Sequence, residues 1–201
     1  MNWLAHVALA GEHPATRLGA LLADAVGRDF TRFPVEFQVG LACHRWVDGW
    51  VERHPGMHAS RQRVVSLRRR YSAIAVDFLY DHLLASQWDA HCPHPLIRWE
   101  REFVESAQPW VETLDLPEPA RELWKWATDH RILARYHDRD CLSDAMRRFS
   151  RRMEARLGVP VDLTAALHDL DNDPNGFESD FQLLWADLRK ASCKEFLTSG
   201  S

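Results

Sequence analysis

Residues 72–88, SAIAVDFLYDHLLASQW, read as a helix with apolar residues on nearly every side. Ile74, Val76, Phe78, Leu79, Leu83 and Leu84 leave no continuous polar face, so the spacing predicts a largely buried helix. Yet Asp77, Asp81 and His82 stand in its middle. At about 100° per residue, Asp77 and Asp81 stack one turn apart on one face and His82 falls on a neighbouring one. Two carboxylates on an apolar helix repel each other and are costly to bury alone. They require a cation, supplied by arginine and lysine or by a bound metal ion.

The rest of the chain supports an all-α fold. Strand alternation is scarce, and helical spacing recurs over residues 2–10, 16–26, 35–52, 96–114 and 142–157. Thr16 is read as the N-cap of the second helix, with Asp24 near its C-terminal end, where the helix dipole disfavours a carboxylate. His54-Pro55 ends the third helix, and Pro109 predicts a kink or restart. A helix follows Pro117 and Pro119 and reaches Tyr136, another covers 162–172, Asp173-Pro174-Asn175-Gly176 is a turn signal, and a last helix covers 177–190. The expectation is eight or nine helices in one domain, residues 1–191, with a polar tail over 192–201.

Composition narrows the class. The chain has 201 residues, 46% apolar and 27% charged, ordinary for a soluble globular protein. Nine tryptophans suit a well-packed helical core. A net charge of −4 argues against nonspecific nucleic-acid binding. Cys43, Cys92, Cys141 and Cys193 show no CxxC spacing, which points to reduced thiols and a cytoplasmic protein. The N-terminus has no basic region before its short apolar run, and no segment reaches membrane-spanning length, so neither a signal peptide nor a membrane partner is expected. Oligomeric state is not written in the sequence.

The chemistry-bearing residues cluster in the first 82 positions. His6 lies among apolar residues, Asp24 closes the second helix, and His44 and Asp48 stand four apart on one face of the third. With Asp77, Asp81 and His82 they offer oxygen donors and imidazoles, a set that suits Mg²⁺ or Mn²⁺ and also Fe²⁺. Thiolates are absent from it, which weakens the case for structural zinc. For any one residue an ion pair with Arg45 or another arginine is the simpler account; for the whole set the carboxylates outnumber that explanation.

Other motifs weigh less. His137-Asp138 and His168-Asp169 are adjacent pairs that diverge on a helix and read as solvated. The run D169-L-D171-N-D173-P-N-G has Pro174 where a calcium loop needs glycine, and reads as an exposed acidic loop. His91, Cys92 and His94 read as a turn. The arginines at 61, 63, 68, 69 and 70 form either a solvated face or a docking surface for an acidic partner.

The segments M1-N-W-L-A-H6, G19-A-L-L-A-D24, H44-R-W-V-D48 and D77-F-L-Y-D81-H82, in that order, resemble the acyl carrier protein phosphodiesterases. That family is regarded as a divergent branch of the HD-domain metal-dependent phosphohydrolases. The resemblance implies hydrolysis of the phosphodiester between 4′-phosphopantetheine and a serine of holo acyl carrier protein, with Mn²⁺ or Mg²⁺, within lipid metabolism. It implies Asp24, His44, Asp48, Asp77 and Asp81 around the metal, with Asp24, His6 and His82 in catalysis. Arg45 and Arg135 become candidates for the phosphate, and Arg61, Arg63, Arg68, Arg69 and Arg70 for the acidic carrier protein. The chain departs from the HD pattern, since it reads Asp-His at 81–82 and splits His44 from Asp48. The rival readings are an HD-type phosphohydrolase of nucleotides or other small phosphoesters, and a non-enzymatic helical binding module.

Overall fold

The computed structural model describes residues 3–27 and 30–197; the side chains of Arg69 and of residues 193–197 lie outside that description, as do residues 198–201 of the expected tail. All regular structure among the described residues is helical. The α-helices are α1 (Trp3–Leu9), α2 (Pro14–Leu22), α3 (Val35–Val51), α4 (Pro55–Arg63), α5 (Arg69–Ser86) and α6 (Leu96–Thr113). They continue with α7 (Glu118–Asp129), α8 (Ile132–Arg135), α9 (Arg139–Leu157), α10 (Ala166–Asn172) and α11 (Pro174–Leu197). Short 3-10 turns occupy Trp88–Ala90 and Leu163–Ala165.

Where one domain over 1–191 is expected, the chain divides into two compact units of interleaved sequence, and the division falls within α3 and α5. One unit comprises Trp3–Asp48 and Leu84–Arg135. In it α1 packs on α2, α2 on α6 and α7, and α8 on α6 and α7. Leu4, Leu18, Leu21, Leu22, Phe37, Leu41 and Phe103 are among the largest of its fully buried side chains. The tryptophans do what their number suggested: Trp88 lies 4.9 Å from Trp99, and Trp3 meets Trp126 edge-on at 5.5 Å. Helices α2 and α3 cross with backbone against backbone. A Cβ on Gly19 would run into the Phe37 carbonyl and sit 3.3 Å from the Gly40 Cα, while one on Gly40 would strike the Thr16 carbonyl and stand 2.8 Å from the Ala20 nitrogen.

The other unit comprises Gly49–Leu83 and the chain from Tyr136 onward. Here α11 packs along α4 and beside α10. A polar network ties α4, α5 and α11 together. The buried Tyr80 hydroxyl lies 2.9 Å from Ser60 Oγ and 3.1 Å from the Gly56 carbonyl. Ser60 in turn donates to Asp180 at 3.0 Å, as does Arg63 Nε at 2.8 Å. Every polar atom of this chain of bonds has a partner, which is what its burial demands.

Several boundaries differ from those read in the sequence. α2 starts at Pro14, and Thr16 is no cap: its hydroxyl donates to the Glu36 carbonyl at 3.0 Å. α2 also stops at Leu22, leaving Asp24 in the turn beyond it. His54-Pro55 ends α3 but also starts α4, with His54 Nδ1 accepting the Gly56 N–H and proline in the first turn, where its missing N–H costs nothing. α6 runs through Pro109 without restarting. The helix expected up to Tyr136 is broken at Arg131, which adopts φ 52°. Asp173-Pro174-Asn175-Gly176 starts α11, because the Asp173 carboxylate accepts the Gly176 N–H. The acidic run is not an exposed loop. Asp169 is buried against Ser66, Asp171 pairs with Arg139, and Asp173 pairs with Arg63.

Candidate metal centre

In the first unit, α1 and α3 bring His6 and His44 together as stacked imidazoles, ring centroids 3.8 Å apart and planes 14° from parallel. Asp48, one turn beyond His44, reaches both. Its Oδ1 lies 3.2 Å from His6 Nε2 and its Oδ2 3.2 Å from His44 Nε2. Asp24 also approaches His44 Nε2, at 3.6 Å. The rings are buried, while the side chains of Asp48 and Asp24 are 48% and 81% exposed, so the set opens to solvent through its carboxylates.

The backbone decides which nitrogen of His44 faces this cluster. Its Nδ1 lies 2.8 Å from the Ala20 carbonyl, which accepts only, so Nδ1 carries a proton and Nε2 is the atom turned to the carboxylates. The α2–α3 glycine crossing makes this bond possible, because it lets the Ala20 backbone come within reach of α3.

Protonation follows from these contacts. Burial works against charge on His44, but its bonds to Asp24 and Asp48 outweigh that and lift its pKa to about 9. Burial dominates at His6, whose pKa falls to about 4. Asp48 would be raised by burial, yet its bonds to His44 and His6 hold it far below the carboxylate range. Asp24 is lowered by its bond to His44. At neutral pH the cluster therefore holds two carboxylates and one imidazolium, a formal −1.

The donor set suits a divalent cation. One ligand atom each from His6, His44 and Asp48 lie within 4.8 Å of one another. Adjacent donors around an octahedral ion with bonds of about 2.1 Å stand about 3 Å apart, close to the separations present. A divalent ion in place of the His44 proton would bring the set to neutrality. Two imidazoles with carboxylates suit Mn²⁺ or Fe²⁺ better than Mg²⁺, which prefers oxygen.

Residues 1–188 match the family described as acyl carrier protein phosphodiesterase. The chain belongs to that family. It is 30% identical to the acyl carrier protein phosphodiesterase of Pectobacterium atrosepticum over 181 residues, covering 89% of this chain and 90% of that protein. It is 28% identical to that of Photorhabdus laumondii over 200 residues, 98% of each chain, and 31% identical to that of Escherichia coli over 185 residues, 90% and 92%. No solved structure matches. Membership makes the chain a phosphodiesterase and sets aside the non-enzymatic reading.

Other residues expected at this phosphodiesterase's site are distributed as follows. Asp77 and Asp81 lie on α5 in the second unit, half-buried and fully buried, and the Asp77 charge helps raise the Tyr80 hydroxyl pKa after burial itself. His82 is half-buried there, with Nδ1 2.8 Å from the Tyr136 carbonyl. That carbonyl fixes the Nδ1–H form, and burial lowers the pKa, so His82 Nε2 presents a lone pair. Arg45 is exposed, its guanidinium 4.4 Å over the Phe30 ring, and Arg135 is exposed at the end of α8. Arg61 pairs with Glu52, and Arg63 with Asp173 and Asp180, so both are engaged within the protein. Arg68 and Arg70 are exposed, Arg70 lies over the Tyr71 ring, and the Arg69 side chain lies outside the description.

Sequence reasoning missed the Ala20 carbonyl and the glycine crossing. Gly40, isolated inside a strongly helical pattern, was the available signal for close backbone approach. No membrane-spanning helix is present among the described residues.

Proposed function

We propose that the protein hydrolyses the phosphodiester joining 4′-phosphopantetheine to the serine of holo acyl carrier protein, with a divalent cation held by His6, His44, Asp48 and Asp24. The observation that carries this reading is the pair of stacked imidazoles converging on Asp48, beside Asp24, in a chain of this family. Water oxygen joins phosphorus, the bond from phosphorus to the serine oxygen breaks, and the serine oxygen takes a proton. The products are apo carrier protein and 4′-phosphopantetheine.

When bound, the metal would screen the charge of the phosphodiester and acidify a coordinated water. The chain's own residues prepare that site. Ala20 holds His44 in the tautomer that presents Nε2, and Asp48 spans both imidazoles. His6 is unprotonated at neutral pH, which favours a ligand over a proton donor. The same holds for His82, which stands with Asp77 and Asp81 on α5 in the other unit. Arg45 and Arg135 are the proposed phosphate contacts, and among the described side chains of the 61–70 group Arg68 and Arg70 remain available to an acidic partner. Kinship with the HD-domain phosphohydrolases, Mn²⁺, Fe²⁺ or Mg²⁺ as the ion, and a cytoplasmic place in lipid metabolism form part of the same reading.

Incubation with holo carrier protein and Mn²⁺, followed by intact mass measurement, tests it. The expected result is loss of the phosphopantetheine arm, abolished by Asp48→Asn and by chelation. Undiminished release by Asp48→Asn, or faster turnover of nucleotides than of carrier protein in a substrate panel, overturns it.

A further inference from the structure

The charge on α9 is distributed unevenly. Residues 147–156 carry five arginines, at 147, 148, 151, 152 and 156, and their only acidic residue is Glu154. At about 100° per residue these arginines span the half of the helix opposite Leu142, Met146 and Ser150, which are buried. Arg147 is answered by Asp144 at 2.8 Å. Glu154 is used elsewhere, accepting the Val161 N–H at 2.9 Å. Arg151, Arg152 and Arg156 are exposed and make no ion pair among the described residues. Arg147 and Arg151, and then Arg148, Arg152 and Arg156, follow one another at steps of four, where like charges repel and destabilise a helix. The helix dipole accounts for Arg156 in the last turn, but not for arginines two turns earlier.

This face stands out in a chain of net charge −4. It also contrasts with the 61–70 arginines, two of which are engaged in internal ion pairs. Past Arg156 the surface turns apolar, with Leu157 48% and Val159 36% exposed. From these features we infer that the arginine face of α9 docks an acidic protein surface, the carrier-protein substrate itself, through Arg151, Arg152 and Arg156 with Leu157 and Val159 as the apolar contact. The inference rests on the proposed function for the partner's identity. Single-stranded nucleic acid fits less well, because such sites pair cations with exposed aromatic rings. The aromatic residue of this stretch, Phe149, is half-buried with its ring 5.6 Å from Phe78.

The test is the triple variant R151Q/R152Q/R156Q of the full chain. It is measured for turnover of holo carrier protein, for turnover of bis(p-nitrophenyl) phosphate, and for binding of labelled carrier protein by fluorescence anisotropy. The expected result is a rise of about tenfold in KM and Kd for carrier protein at low salt, with kcat and small-diester turnover within twofold. The difference from wild type should fade towards about 0.5 M salt as screening removes it. An unchanged KM and Kd overturns the inference, as does a lower thermal midpoint without change in binding, which would make the arginines structural. Tighter binding of a labelled oligonucleotide than of carrier protein, lost in the variant, also overturns it. If the wild type releases no phosphopantetheine, the functional reading falls, and anisotropy alone decides whether α9 binds the acidic protein.

Discussion

Replacing Gly40 by alanine sets two effects against each other. In an exposed helix the change would stabilise by about 1 kcal/mol through helix propensity. Here the new Cβ would strike the Thr16 carbonyl and stand 2.8 Å from the Ala20 nitrogen, both backbone atoms of α2 with no rotamer to yield. Overpacking of this kind costs about 1–3 kcal/mol. Moving α2 away also stretches the 2.8 Å bond between Ala20 O and His44 Nδ1, a bond to a charged imidazole worth about 1.5–3 kcal/mol. The net expectation is destabilisation of about 2–4 kcal/mol, or about 5–15 °C in thermal midpoint for a chain of this size. Urea unfolding followed by circular dichroism measures it, with Mn²⁺ titration as the second readout, since His44 loses the carbonyl that fixes its tautomer. Gly49→Ala on the same helix is the control. Its Cβ would meet only the flexible end of Arg53, at 3.8 Å, so propensity should win there and the variant should gain stability. A Gly40→Ala protein as stable as wild type, with unchanged metal affinity, refutes the reasoning.

Three further expectations follow from other parts of the structure. Stability of the metal-free protein should peak near pH 6.5. His6, depressed to about 4, adds stability as pH rises towards 6.5; His44, raised to about 9, gives stability that is full below 6.5 and lost as pH rises through 9, each by up to about 3 kcal/mol. Thermal melts across pH 4–9.5 check this, and Mn²⁺ should remove the alkaline loss, because binding displaces the His44 proton. Asp180→Ala should cost about 2 kcal/mol in chemical unfolding, since Ser60 and Arg63 both lose their shared acceptor. In thiol titration, Cys43, buried and pushed up to about 11, should stay unmodified in the folded protein, whereas half-buried Cys92 reacts.

Periodicity made the all-helical fold legible, because long amphipathic and buried helices leave strong patterns over 35–51 and 69–86. His44 and Asp48 were legible for the same reason, as residues four apart on one helix must share a face. What escaped was set by atoms without sequence identity or by pairs far apart. The Ala20 carbonyl has no signature of its own, and Asp180 meets Ser60 across 120 residues. Proline misled twice: His54-Pro55 reads as a helix end and Asp173-Pro174 as a turn, and each proline also opens a helix. Arg61 and Arg63 looked available for a partner, and only coordinates reveal that Glu52, Asp173 and Asp180 already occupy them.

The interleaving of the two units bears on how the chain is made. During synthesis Trp3–Asp48 emerges long before Leu84–Arg135, with which it forms one unit, and Gly49–Leu83 must wait for the segment beginning at Tyr136. Neither unit is a continuous stretch that could fold as it leaves the ribosome, and each closes over a long loop before its contacts repay the entropy. The buried imidazoles of α1 and α3 would thus spend most of translation exposed, with metal ligands accessible before the helices around them are complete. Truncation at residue 135 should yield one unit lacking nothing of its own sequence, joined to an orphaned 49–83, a natural substrate for quality-control proteases.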